Sequence, residues 1–138
     1  MAQLKILIDE NIGQPITVSL ANLLTWHVLK PEVKHIQEFY EKGTPDDEWI
    51  PQLSKDNWII ISTDRGQKYG GPKLPTICKK LNISHILISA SLHKEKQFEK
   101  ARAIVYVWPE IIGIPNDPPG TRYSLHYSSH KTPSLSKR

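Results

Sequence analysis

The 138-residue chain has the length of one domain, and its 38% hydrophobic and 23% charged content is that of a soluble globular protein. A lone cysteine, Cys78, excludes an internal disulfide and a multi-cysteine zinc site, and is expected as buried filler in a cytoplasmic protein. No apolar run approaches the roughly 18 residues of a membrane span, the chain opens on strand-like sequence rather than a signal peptide, and no membrane partner is expected.

The net charge of +4 is unevenly spread. Up to Asp64 there are five lysines against ten acids; from Arg65 to Arg102 there are nine bases against two glutamates; from Thr121 onward there are four bases and no acid. An acidic half beside a basic half suits a polyanion that meets bound cations, so nucleic acid is a candidate partner.

In chain order, Leu4 to Asn11 (LKILIDEN) reads as an apolar strand running into Asp9, Glu10 and Asn11. Polar groups at such a strand end sit where α/β proteins place their sites. Gly13-Gln14-Pro15 starts a helix with proline in its first turn, and Ile16, Leu20, Leu23 and Leu24 recur at helical spacing. Trp26 to Lys30 is expected as a short second strand ended by Pro31, and Glu32 to Gly43 as an irregular or weakly helical connection, from which His35 could face the site although a lone histidine there is more often a surface or packing residue. Thr44 as N-cap, Pro45 at the first helical position and Asp47 three residues after the threonine mark a helix towards Asp56, with Trp49, Ile50 and Leu53 as its apolar face. The cap occupies Asp47 and leaves Asp46 free to project; Glu48 is a third choice.

Trp58 to Asp64 (WIIISTD) is a second β-branched run with a polar end, followed by Arg65 and Gly66. If the first strand and this one lie parallel and adjacent, Asp9 and Asp64 emerge side by side. Gly66 to Pro75 is expected as a loop over that edge, then a helix over about 74–81, a strand over 84–89 and a longer helix over about 91–108. On that last helix Phe98, Ala101, Val105 and Trp108 fall on one face and Lys94, Lys96, Lys100 and Arg102 mostly elsewhere, with Pro109 closing it. Turn residues from Gly113 to Gly120 lead into an edge strand over 121–127, and residues 128–138 read as a basic, disordered tail after a domain of residues 1–127. The alternation predicts a three-layer α/β/α sandwich with a mainly parallel sheet. Phosphate loops of the Walker or GxGxxG type, a nucleophile elbow and clustered His/Cys ligands are all absent from the sequence, which points away from nucleotide cofactors, serine hydrolases and zinc.

Asp9, Asp46 and Asp64, gathered from two strand ends and a helix start, would form an all-oxygen cluster suited to Mg²⁺ or Mn²⁺. Mutual repulsion makes such a cluster depend on a cation, and one or two such ions serve phosphodiester hydrolysis. Asn11, Thr63 and Arg65 would orient ligands or hold a phosphate. At these residues LKILIDEN, GTPDDEWI and IISTDRG, in this order, resemble the PIN-like domains of VapC-type toxins. That resemblance implies a metal-dependent endoribonuclease with Asp9, Asp46 and Asp64 as metal ligands and catalytic carboxylates. It further implies an RNA substrate and a cognate antitoxin protein, with a homodimer as an open option. Many relatives have another acid shortly after the Asp-Arg pair; Gly66 stands there here, which leaves one or two metals open. Two alternatives stand beside it: an inactive PIN-like binding module, and a phospho-accepting receiver-like domain. A receiver needs a lysine after its last apolar strand, and none occurs in that place.

Overall fold

Every described strand that meets both layers is apolar on both faces, as parallel strands covered by helices must be. The computed structural model describes residues 4–9, 12–24, 31–39, 50, 57–63 and 74–137. Among them β1 (Lys5–Ile8), β2 (Glu32–His35), β3 (Trp58–Ser62), β4 (His85–Ile88), β5 (Arg122–Tyr127) and β6 (Pro133–Lys137) form one sheet in the order β2-β1-β3-β4-β5-β6. All neighbours are parallel except β5 and β6.

Register sorts the side chains into two cores. Ile6, Ile8, Ile59, Ile61, Ile86 and Ile88 face one side, where α1 (Gln14–Leu24) adds Ile16, Leu20 and Leu24, and later helices add Ile104, Trp108 and Ile111. Leu7, Trp58 and Ile60 face the other side and meet Ile36, Ile50, Ile83 and the Ile77 and Cys78 of α2 (Leu74–Lys80). The result is the three-layer α/β/α sandwich that the sequence predicts. Ile50 is helical and wholly buried, as the apolar face of its segment requires; the rest of that helix start lies outside the described residues. Cys78 is wholly buried, as expected.

Several elements differ from expectation. The strand beside β1 is Glu32–His35, after Pro31, in the stretch read as an irregular connection; the run 26–30 read as a strand lies outside the described residues. Alternation explains it: Val33 enters the first core and Lys34 is only part-buried, while proline is tolerated just ahead of an edge strand. The long helix expected over 91–108 is three: α3 (Ala90–His93), α4 (Gln97–Tyr106) and α5 (Trp108–Ile111). Restarting at Gln97 turns the buried stripe of α4 to Lys100, Ala103 and Ile104, so Phe98 is 93% exposed and Lys100 is inside. Pro109 sits in the first turn of α5, where its missing N–H costs nothing, and opens a helix rather than closing one. Leu23 of α1 is exposed and Thr17 buried in its stead.

Residues 133–137, expected as disordered tail, pair with β5, so β5 is not the edge. Composition misled because the tail's bases find acids across the fold: Lys131 meets Glu95 at 3.1 Å and Lys137 meets Asp117 at 3.0 Å. Arg102, bound to Glu99 at 2.6 Å, also donates to the Lys131 carbonyl, and the Tyr127 hydroxyl donates to Glu99. These hydrogen bonds hold the Glu99 carboxyl below its ordinary range, Arg102 contributing most. Exposed ion pairs are individually weak, so the ladder and the packing of Leu135 on the first core do most of the ordering.

Candidate active site

Strand order defines one privileged place on this sheet. The chain leaves β1 for β2 on one flank and later enters β3 on the other, so connections reverse direction between β1 and β3. Doubly wound sheets open a crevice outside the carboxyl ends of the strands at such a point. Asp9 immediately follows β1 there and is 4% exposed. Its N–H donates to the Ile61 carbonyl at 3.0 Å, which locks the end of β1 to β3, and its own carbonyl accepts the Ile12 N–H at 3.0 Å, which closes a turn. The amino end of α1 begins two residues after Ile12, and its partial positive charge favours an anion at this edge.

The parallel register Ile8↔Ile61 brings the end of β3 alongside. Ser62, wholly buried, ends the strand, and Thr63, half-buried, follows it. The sequence reading takes these two strands as parallel and adjacent, which they are, so Asp9 and Thr63 are carried to one edge of the sheet. Asn11, Asp46, Asp64 and Arg65 lie outside the described residues.

Two buried histidines flank this pair of strand ends. The Ser62 hydroxyl and His85 Nε2 are hydrogen-bonded at 2.6 Å, which braces the last residue of β3 against β4. On the opposite flank His35 ends β2 in register with Ile8, is 2% exposed, and lies 2.8 Å from the Ile12 carbonyl through Nε2. Of the roles the sequence leaves to His35, its burial excludes the surface one. The signal that places it is the short alternating run Val33-Lys34-His35 directly after Pro31, which makes it a strand-end residue.

A family model described as a PIN like domain matches residues 4–80, more than half of the chain. The chain belongs to the PIN-like domain family. No curated protein and no solved structure matches it. The matched span runs from the start of β1 to the end of α2 and contains both β1 and β3 together with every candidate site residue. The PIN-like assignment also sets aside the receiver reading, whose strand order a doubly wound sheet alone would accommodate. No described helix of this PIN-like domain is long and apolar enough to cross a membrane.

Proposed function

We propose that this PIN-like domain is a Mg²⁺- or Mn²⁺-dependent endoribonuclease, the toxin of a toxin–antitoxin pair, with Asp9, Asp46 and Asp64 as its carboxylates. The observation that carries the reading is Asp9: an acid withdrawn from water at the carboxyl end of β1, on the β1–β3 crevice of a PIN-like fold. Carboxylate oxygens at a strand end are the donor class that Mg²⁺ and Mn²⁺ take. When bound, the ion supplies positive charge against the carboxylates and polarises water and phosphate for hydrolysis. The chain's own share is to hold Asp9 rigidly through its backbone bonds to Ile61 and Ile12. Attraction of the RNA backbone falls to the base-rich stretch from Arg65 to Arg102.

Titration of the purified chain with Mn²⁺ or Mg²⁺, with cleavage of a labelled RNA as readout, tests the assignment. Products that appear with metal and vanish with chelator are expected. Binding of RNA without any product at saturating metal would instead make this an inactive binding module, the reading to which Gly66 lends itself.

Asp46 and Asp47 divide their tasks. Asp47→Asn should weaken the helix start by about 0.5 to 2 kcal/mol and leave cleavage largely intact. Asp46→Asn should keep the fold and lose most of the cleavage, because an amide lacks the charge that holds a cation. The reverse pattern in thermal melts and RNA assays would give the ligand role to Asp47, and full cleavage by both variants would remove the helix from the site.

As a toxin the chain requires restraint in its own cell, by an antitoxin that covers the carboxylate edge or the basic stretch Arg65 to Lys73. Expression without a partner should then arrest growth, and Asp9→Asn should relieve the arrest. Harmless expression of a chain that cleaves RNA in vitro would refute the antitoxin requirement.

A further inference from the structure

We infer that His35 is a positioning residue: its imidazole fixes the Asp9–Ile12 turn, and through it the orientation of the Asp9 carboxylate. The inference rests on the reading of Asp9 as a site residue, but its geometry is independent of which metal or substrate is used.

The protonation of the ring follows from its neighbours. The Gln37 N–H donates to Nδ1 at 3.1 Å, so Nδ1 is unprotonated. Nε2 faces the Ile12 carbonyl at 2.8 Å, an oxygen that can only accept, so Nε2 carries the proton and donates. His35 is thus a neutral imidazole with both nitrogens engaged, and the two bonds do different things. The Nδ1 bond, with the His35 N–H donating to the Glu38 carboxylate at 2.7 Å, is a local capping box for the 3-10 turn Ile36–Glu38. The Nε2 bond spans 23 residues to the segment that follows Asp9.

That far end is tightly held. Ile12 is wholly buried in the first core, and its own N–H donates to the Asp9 carbonyl. Ile12 therefore receives restraint on both sides of its backbone: its N–H ties it to Asp9, and its C=O ties it to His35. A cap alone asks nothing of Nε2, and Ile12 is wholly buried, so removing the donor costs its carbonyl a hydrogen bond in the core. A second link, from the Gln14 side-chain amide to Gln37 at 2.6 Å, holds the start of α1 to the same 3-10 turn.

Two substitutions separate the roles, because glutamine places an amide nitrogen near Nε2 and asparagine places a carbonyl oxygen near Nδ1. His35→Gln keeps the donor to Ile12 and loses the cap; His35→Asn keeps the cap and loses the donor. The measurements are amide hydrogen exchange at Ile12, the Mn²⁺ concentration for half-maximal RNA cleavage, and the melting temperature. For His35→Asn we expect Ile12 exchange faster by about tenfold or more. Its half-maximal Mn²⁺ should rise by about 10- to 100-fold, the range seen when groups that orient metal ligands are removed. For His35→Gln both should stay within about threefold of the parent, even if its melting temperature falls further than that of His35→Asn. Unchanged exchange in His35→Asn, or equal defects in both variants, would overturn the positioning role and leave only a cap. If the parent chain neither responds to Mn²⁺ nor cleaves RNA, the nuclease reading fails on its own, and the exchange comparison still decides what His35 does.

Discussion

Asp9→Asn should abolish metal-dependent RNA cleavage while the protein stays folded. Groups that merely orient a metal ligand are worth about 10- to 100-fold, so loss of a ligand itself should exceed about 100-fold. The amide matches the carboxylate in size, so the packing around a 4% exposed side chain is preserved. Its charge is what disappears. In metal-free buffer the variant should still melt cooperatively, which shows that the fold survives the substitution. Mn²⁺ should then raise the melting temperature of the parent and not that of the variant, because a ligand stabilises only the state that binds it. Retention of both cleavage and Mn²⁺-induced stabilisation by Asp9→Asn would remove Asp9 from the site. With it would go the reading of the β1–β3 crevice as a cation site.

Ile60→Ala should produce the largest loss of stability among the single truncations considered for this chain. Ile60 is fully buried at the centre of the sheet, paired in register with Leu7 and packed in the second core. Truncating a buried isoleucine costs about 2 to 5 kcal/mol, and the upper part of that range applies where the cavity cannot collapse. Here the surroundings cannot close in: Leu7 and Ile60 are held by strand ladders on both flanks, and Ile77 and Cys78 by a helix fixed at its own positions. Leu135→Ala is the control. Leu135 lies on the edge strand, only partly buried, and its loss should cost less than about half as much. Chemical denaturation of the two variants at unchanged m-value checks the ordering. Equal losses would mean that the second face of the sheet is not a sealed core.

Much of this architecture can be read from local pattern, since periodicity and end-group chemistry are properties of neighbours in sequence. The apolar runs ending in Asp9 and in Ser62-Thr63 declare parallel strands with polar carboxyl ends, and β1 and β3 are such strands. Proline and glutamine after Gly13 declare α1, and the run before Ser89 declares β4. Two of the failures lie in what residue type alone does not display, a distant partner in one and a helix break in the other. Residues 133–137 look like solvated tail until β5 supplies a ladder and Glu95 and Asp117 receive Lys131 and Lys137. Lys100 looks like one base among several until the restart of α4 at Gln97 rotates it inward.

For the candidate site the division is the same. The sequence by itself supplied the candidate acids Asp9, Asp46 and Asp64, their order, and the match to the PIN-like family over residues 4–80. Those are facts of residue type and spacing, and no folding is needed to state them. Only the tertiary structure decided that β1 and β3 are neighbours, that the connections reverse between them, and that Asp9 is buried at that reversal. It alone joined His35 to the Ile12 carbonyl. A hydrogen bond across 23 positions leaves no periodic trace in the chain, because its geometry is set by the parallel pairing of β1 with β2 and not by anything adjacent to either end.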